Sequence, residues 1–175
     1  MTAALRPAAA LRAVRATGAD AQALYALSAP FMRSGALRER TPDAYRHPGD
    51  TFLAVRAGAG PEHPDGTGGA RPGRLDACVA LRALAPEADR PATGLLHNFC
   101  VRTDRQGEGL GSLLITAVVA EARRRGLRAL VTATTGGGAL FLRHGFQEIP
   151  ASAAPREWAA GLDPARRSQV FTRPI

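Results

Sequence analysis

Lysine is absent from this chain of 175 residues, and all 23 basic positions are arginine. A P-loop needs Lys followed by Ser or Thr after its last glycine, so that nucleotide site is excluded. Cysteine is scarce. Cys78 and Cys100 sit in apolar, strand-like runs, where reduced core thiols of a cytoplasmic protein are expected. Aromatic residues make up 5% of the chain, too few for a base-stacking surface, and the arginines spread from Arg6 to Arg173. Arg123, Arg124 and Arg125 form the one run, on the last turn of an expected helix where cations suit the dipole. The net charge of +8 is thus read without a nucleic-acid partner. No apolar run reaches the roughly 18 residues of a membrane span, and no internal repeat occurs. His63 has no partner at metal-ligand spacing, and no metal is expected.

The length suits one domain, 11–175. Residues 1–10 are alanine-rich without a sustained apolar stretch or clear cleavage site, and are expected to form a ragged terminus rather than a signal. Residues 57–74 are Gly, Pro, Asp and Ala with almost no large apolar side chain, which predicts a flexible loop between two strands. Strands are expected at 11–16, 51–56, 75–84, 95–101, 127–134, 146–149 and 169–172. A first helix is expected at 21–27, with Pro30 interrupting its pattern, and a second helix start at Thr41-Pro42. Helical patterns also cover 110–125, 139–144 and 157–162. The sum is a mixed α/β fold with antiparallel strands first and one βαβ step.

That step contains Gln106-Gly107-Glu108-Gly109-Leu110-Gly111, followed by Ser112. The glycines leave backbone N–H groups uncovered at a helix N-terminus, where orphan donors and the macrodipole favour an anion, with phosphate the expected ligand. A dinucleotide fold places such a turn after the first strand, with an acid about 20 residues on. Here the loop lies at mid-chain and that acid is missing.

The order Val101, Gln106-x-x-Gly109-x-Gly111, helix, strand, then Phe141-Leu142-Arg143-His144-Gly145-Phe146 resembles the acyl-CoA-binding half of the GNAT N-acetyltransferases. The resemblance implies a GNAT fold and acetyl-CoA as co-substrate. It implies that the loop amides hold the pyrophosphate, that backbone groups at Phe99, Cys100 and Val101 hold the pantetheine arm, and that Phe141 lies beside the thiol end. The family usually supplies its base from a carboxylate on the strand at 95–101; the conventional base there is His97. Where many members carry a Tyr as thiolate proton donor, this chain has Phe141.

Further points resemble the acetyltransferase domain of N-acetylglutamate synthases: Gly35-Ala36-Leu37 with Arg40, Thr134-Thr135, Phe141 before Gly145-Phe146, and Arg166-Arg167-Ser168. The resemblance implies transfer to the α-amine of a small amino acid, glutamate first, in a ternary complex. Arg40 would meet the α-carboxylate, Arg166 with Ser168 the side-chain carboxylate, and the Thr134 hydroxyl would replace the Tyr. The synthases carry a Glu close to position 95, where this chain has leucine. At this length the amino-acid kinase domain of many full-length synthases is not expected, nor arginine feedback through it. Another amine acceptor (an antibiotic or a protein N-terminus), a CoA-binding module with little catalysis, and a homodimer stay open.

Overall fold

The computed structural model describes residues 11–56 and 74–175. The expected ragged terminus at 1–10, nearly all of the expected loop and His63 lie outside the described residues. Seven strands form one sheet: β1 (Ala13–Arg15), β2 (Asp50–Arg56), β3 (Leu75–Ala83), β4 (Thr93–Val101), β5 (Ala129–Thr134), β6 (Gln147–Ile149) and β7 (Gln169–Pro174). Their order is β1-β2-β3-β4-β5-β7-β6. Strands β1 to β4 run antiparallel, and β4 to β5 is the one parallel step, crossed by helix α2 (Leu110–Arg124). Helices α1 (Ala21–Arg33), α3 (Gly138–Arg143) and α4 (Arg156–Ala160) complete the regular structure, with short 3-10 turns between.

Strand alternation gives the sheet two apolar faces. On one, α2 buries Leu110, Leu114, Ile115 and Val118 against Leu53, Val79, Leu81, Leu96 and Leu130. Each such side chain contributes roughly 1.5–3 kcal/mol by leaving water. The other face has two covers: α1 lies over Phe52, Ala54, Cys78 and Cys100, while Ala154 and Trp158 lie over Leu95, Val131 and Val170.

Pro30 does not end α1. The helix runs through it to Arg33, because Leu24, Leu27 and Met32 are buried on either side of the proline and Ser34 N–H closes the last turn on the Pro30 carbonyl at 3.1 Å. Tertiary burial here outweighs the roughly 3 kcal/mol that an interior proline costs. The start at Thr41-Pro42 becomes a 3-10 helix, Pro42–Arg46.

Two irregularities in β4 shape the site. Cys78 pairs with Cys100 but Ala80 with His97, so one extra residue bulges from β4, and Asn98 takes a left-handed φ of +49°. Asparagine tolerates that region. Its buried amide accepts from Tyr45 Oη at 3.3 Å and donates to Ser28 Oγ at 3.1 Å. The bulge turns Phe99 to the α2 face and Cys100 to the α1 face. Pairing of β4 with β5 stops at Leu95 and Val131, while β5 continues along β7 to Thr134 and Gln169. Beyond Leu95 the two parallel strands diverge and leave a fork.

Candidate active site

The glycine loop stands at one side of this fork. Gly107 and Gly109 have φ of +86° and +82°, a backbone turn that side chains with a Cβ resist. The first bond of the helix runs from Leu113 N–H to the Gly109 carbonyl at 3.0 Å. Among the described residues, the six amides from Gly107 to Ser112 donate to no protein acceptor. Gly111 serves packing instead: a Cβ there would lie 2.9 Å from Leu140 Cδ2 and 3.5 Å from the Phe99 ring. Ser112 Oγ is 2.9 Å from His144 Nε2.

The loop is anchored from below. Gln106 donates to the Val101 carbonyl at 3.1 Å. Asp76, fully buried on β3, meets Arg102 Nη1 at 2.9 Å and Arg105 Nη1 at 2.8 Å, and its carbonyl accepts from Arg102 N–H at 2.8 Å. Arg102 also pairs with Asp104, and Arg105 with Glu108. The guanidiniums beside the loop are therefore neutralised within the protein, and the exposed donors are backbone.

Across the fork, Phe141 is buried in an aromatic cluster, its ring centre 5.6 Å from Phe99, 5.3 Å from Phe146 and 6.0 Å from Phe171. Thr134 ends β5, and its hydroxyl and the Gly136 backbone hydrogen-bond each other. Cys100 is buried with its Sγ 3.6 Å from Cys78 Sγ. The contact with the Cys100 thiol, and then burial, push Cys78 well above the ordinary thiol range.

On the opposite face of β4, His97 is held at both ring nitrogens. Nε2 is 3.0 Å from Asp50 Oδ1, and Nδ1 is 3.1 Å from Arg40 Nη2. A guanidinium only donates, so Nδ1 is the acceptor and Nε2–H points at Asp50. Burial lowers the His97 pKa, and the Asp50 carboxylate opposes that only in part. Asp50 has a fully buried side chain, held by Arg82 through Nε–Oδ1 at 2.6 Å and Nη2–Oδ2 at 2.8 Å. Burial alone would raise its carboxyl, but hydrogen bonds from His97 and Arg82 outweigh it and keep it well below the ordinary range. The strand lacks a carboxylate, as the sequence indicates, yet one reaches it from β2. Asp50 and Arg82 face each other in the β2–β3 register. No local sequence signal marks that pairing. Asp76, a lone acid in an apolar strand run, does carry the signal of a paired buried charge.

The turn after α1 spans the fork. At one end Arg40 meets His97 on β4; at the other Arg166, just ahead of β7, donates to the Gly35 and Ala36 carbonyls at 2.9 and 3.2 Å. Arg38 Nη2 adds a bond to the Gly161 carbonyl at 2.9 Å. Arg40 and Arg166 thus flank one turn from residues 126 positions apart, and Ser168 is half-buried beside them in sequence. Among the described residues no side chains form a metal-ligand cluster, and no helix is long and apolar enough to cross a membrane.

Residues 70–148 match the family model described as the acetyltransferase (GNAT) domain. N-acetylglutamate synthase from Neisseria gonorrhoeae, solved with coenzyme A and N-acetyl-glutamate, superposes with a TM-score of 0.75 at 23% identity, over 95% of this chain and 35% of that one. The chain thus spans about a third of that protein's length. Rv2747 from Mycobacterium tuberculosis, solved in complex with CoA, gives a TM-score of 0.65 at 19% identity over 93% and 98% of the two chains. A GNAT-family acetyltransferase from Staphylococcus aureus gives 0.70 at 13% identity over 94% and 99%. The glycine loop and the parallel step lie within or against the stretch that matches the acetyltransferase (GNAT) domain, and the chain shares the fold of these acetyltransferases.

Proposed function

We propose that this protein is an acetyl-CoA-dependent N-acetyltransferase that modifies the α-amine of a small amino acid, glutamate first, by direct transfer in a ternary complex. The observation that carries the reading is that β4 runs from His97, held by Arg40 on one face of the strand, to uncovered amides in the loop beyond its end. The residues present fit the co-substrate. Amides from Gly107 to Ser112 suit the pyrophosphate, and the unpaired edge of β4 at Phe99, Cys100 and Val101 suits the pantetheine arm. Phe141 backs the thiol end from the aromatic cluster. The co-substrate supplies an acetyl group activated as a thioester with a thiol as leaving group.

The chain's own residues manage the proton and the orientation. An ammonium cannot attack, so His97, neutral at pH 7, takes its first proton. The freed lone pair forms the C–N bond as the C–S bond breaks, and the amine's second proton ends on the sulfur with the Thr134 hydroxyl as relay. Arg40 and Arg166 with Ser168 orient the two carboxylates of the acceptor. Support for the acceptor comes from the Neisseria protein, crystallised with N-acetyl-glutamate.

A cavity of about 430 Å³ favours a second reading, a bulkier amine. It lies between Arg82, Leu84, Pro86, Leu95, Pro155 and Trp158, and Arg82 is the lining residue that also holds Asp50. A panel of amino acids and plain amines with acetyl-CoA, read by free-thiol release, separates the two. Fastest turnover on glutamate supports the first reading, and turnover confined to non-acidic amines refutes it. Tight CoA binding with no turnover on any amine would reduce the protein to a binding module.

A further inference from the structure

The His97 cluster holds three charged partners from three elements: Asp50 from β2, Arg82 from β3 and Arg40 from the turn after α1. The ring of Phe52 packs edge-on to His97 at 6.3 Å, and the Tyr45 hydroxyl, whose pKa is raised by burial, lies among the groups that act on Arg40. The two guanidiniums are not equivalent. Arg82 is locked on Asp50 by two parallel bonds. Arg40 is half-buried, and among the described residues no carboxylate lies within ion-pair distance of it; its side-chain bond goes to the neutral ring nitrogen of His97.

A cation taken out of water without an anion is costly, and burial does lower the Arg40 pKa, though a guanidinium stays charged. The site therefore lacks one negative charge beside the nitrogen that must receive a proton. Arg40 as placed also blocks that nitrogen, since its N–H occupies the Nδ1 lone pair.

We propose that Arg40 is a substrate-operated gate on His97: an acceptor carboxylate draws the guanidinium onto itself and frees Nδ1, whereas an amine without that carboxylate leaves the base capped. The inference rests on the N-acetyltransferase reading and makes Asp50 the positioning residue of the base. When Nδ1 is freed, the N–H bond of the acceptor ammonium breaks, its electron pair stays on the amine nitrogen, and the proton moves to Nδ1. The resulting imidazolium is balanced by the Asp50 carboxylate through Nε2–H, and Arg82 keeps that carboxylate in place. Selectivity for amino acids over plain amines then appears in kcat as well as KM, because the carboxylate both binds and uncaps.

The test compares glutamate with glutamate α-amide, which keeps the amine and loses the α-carboxylate. Wild-type protein is expected to turn over the α-amide with a lower kcat. In Arg40→Ala the glutamate KM should rise roughly tenfold or more, as for a lost charged hydrogen bond, while kcat for the α-amide rises above the wild-type value. A pure clamp would leave the α-amide rate unchanged, and that result would overturn the gate. Asp50→Asn should lower kcat and displace the acid limb of its pH profile without moving the acetyl-CoA KM; an unmoved profile would remove Asp50 from the role.

Ring ¹H–¹⁵N correlation spectra of the full-length protein provide a readout apart from turnover. The free protein should show His97 as the Nε2–H tautomer, and glutamate, but not its α-amide, should shift the Nδ1 signal. If glutamate leaves Nδ1 unmoved in a protein that acetylates it, the gate is wrong and the N-acetyltransferase reading stands. If Nδ1 shifts and no amine is acetylated, the enzymatic reading falls and the gate on its base falls with it, leaving only carboxylate binding at Arg40.

Discussion

Asp76→Asn tests whether the glycine loop is held by a buried charge. The Asp76 side chain is fully buried, and its two oxygens meet Arg102 at 2.9 Å and Arg105 at 2.8 Å. Removing one partner of a buried pair typically costs about 3–5 kcal/mol, mostly for the charge left behind. That figure is an upper bound here. Arg102 and Arg105 keep 19% and 25% of their side-chain surface exposed, and each retains a second acid, Asp104 or Glu108. Asparagine also fills the same volume and still accepts a hydrogen bond. The expected loss is about 2–3 kcal/mol, a fall in Tm of roughly 4–12 °C for a chain of this size. Urea unfolding at pH 7 should give that difference with the slope unchanged. The acetyl-CoA KM should rise while kcat holds, because the loop loses its anchor and His97 does not. A Tm within roughly 1 °C of wild type, with an unchanged KM, would refute the anchoring argument.

Gly94→Ala probes the crossing of β4 under α2. The added methyl would lie 2.8 Å from both Leu127 Cδ1 and Leu81 Cδ1 and 3.1 Å from Leu130 Cδ2. Three leucines must yield at once, so thermal unfolding should report a loss of roughly 1–3 kcal/mol. The acid limb of stability follows from His97 and Asp50, both of which titrate lower folded than their ordinary values. For each, the unfolded chain binds protons first as pH falls. The His97 contribution is thus present above about pH 6.5 and the Asp50 contribution above about pH 3.9, and each is lost below that value toward the folded pKa. The urea midpoint should drop in two stages between neutral pH and about pH 3, and Asp50→Asn should shrink the lower stage, to which the buried Asp20 also contributes. Parallel curves for the two proteins below about pH 4 would refute the assignment. Arg166→Ala should raise the glutamate KM by the equivalent of roughly 1.5–3 kcal/mol without changing the acetyl-CoA KM.

Much of the fold was legible because each element carries its own periodicity. Every expected strand and most helices appear within a few residues of their positions, since alternating or 3.6-spaced apolar residues are a local signal. The failures were tertiary. Pro30 reads as a break, and only the burial of Leu24, Leu27 and Met32 keeps α1 continuous through it. The bulge at Asn98 is invisible in a run that reads as plain strand, because it depends on Tyr45, Ser28 and Cys78 around the amide. The glycine loop was legible as a turn because the positive φ at Gly107 and Gly109 calls for glycine. Asp50 was not, since its partner Arg82 lies 32 residues away and nothing local pairs them.

On the proposed reading, two separate ways of binding an anion follow from that difference. At the glycine loop, Arg102 and Arg105 are already matched by Asp76, Asp104 and Glu108, so the donors left for an anion are amides fixed in the backbone. Fixed amides suit a ligand that is the same in every turnover, because they require no rearrangement when it arrives. At the other side of the fork the available donor is a long side chain, Arg40, with one bond to His97 and no acid of its own. A movable cation suits the ligand that must be chosen. Its displacement distinguishes an amine that carries a carboxylate from one that does not. The arginine-only composition therefore says little about the co-substrate. What matters for selection is the guanidinium on His97, which the described residues leave without an acid.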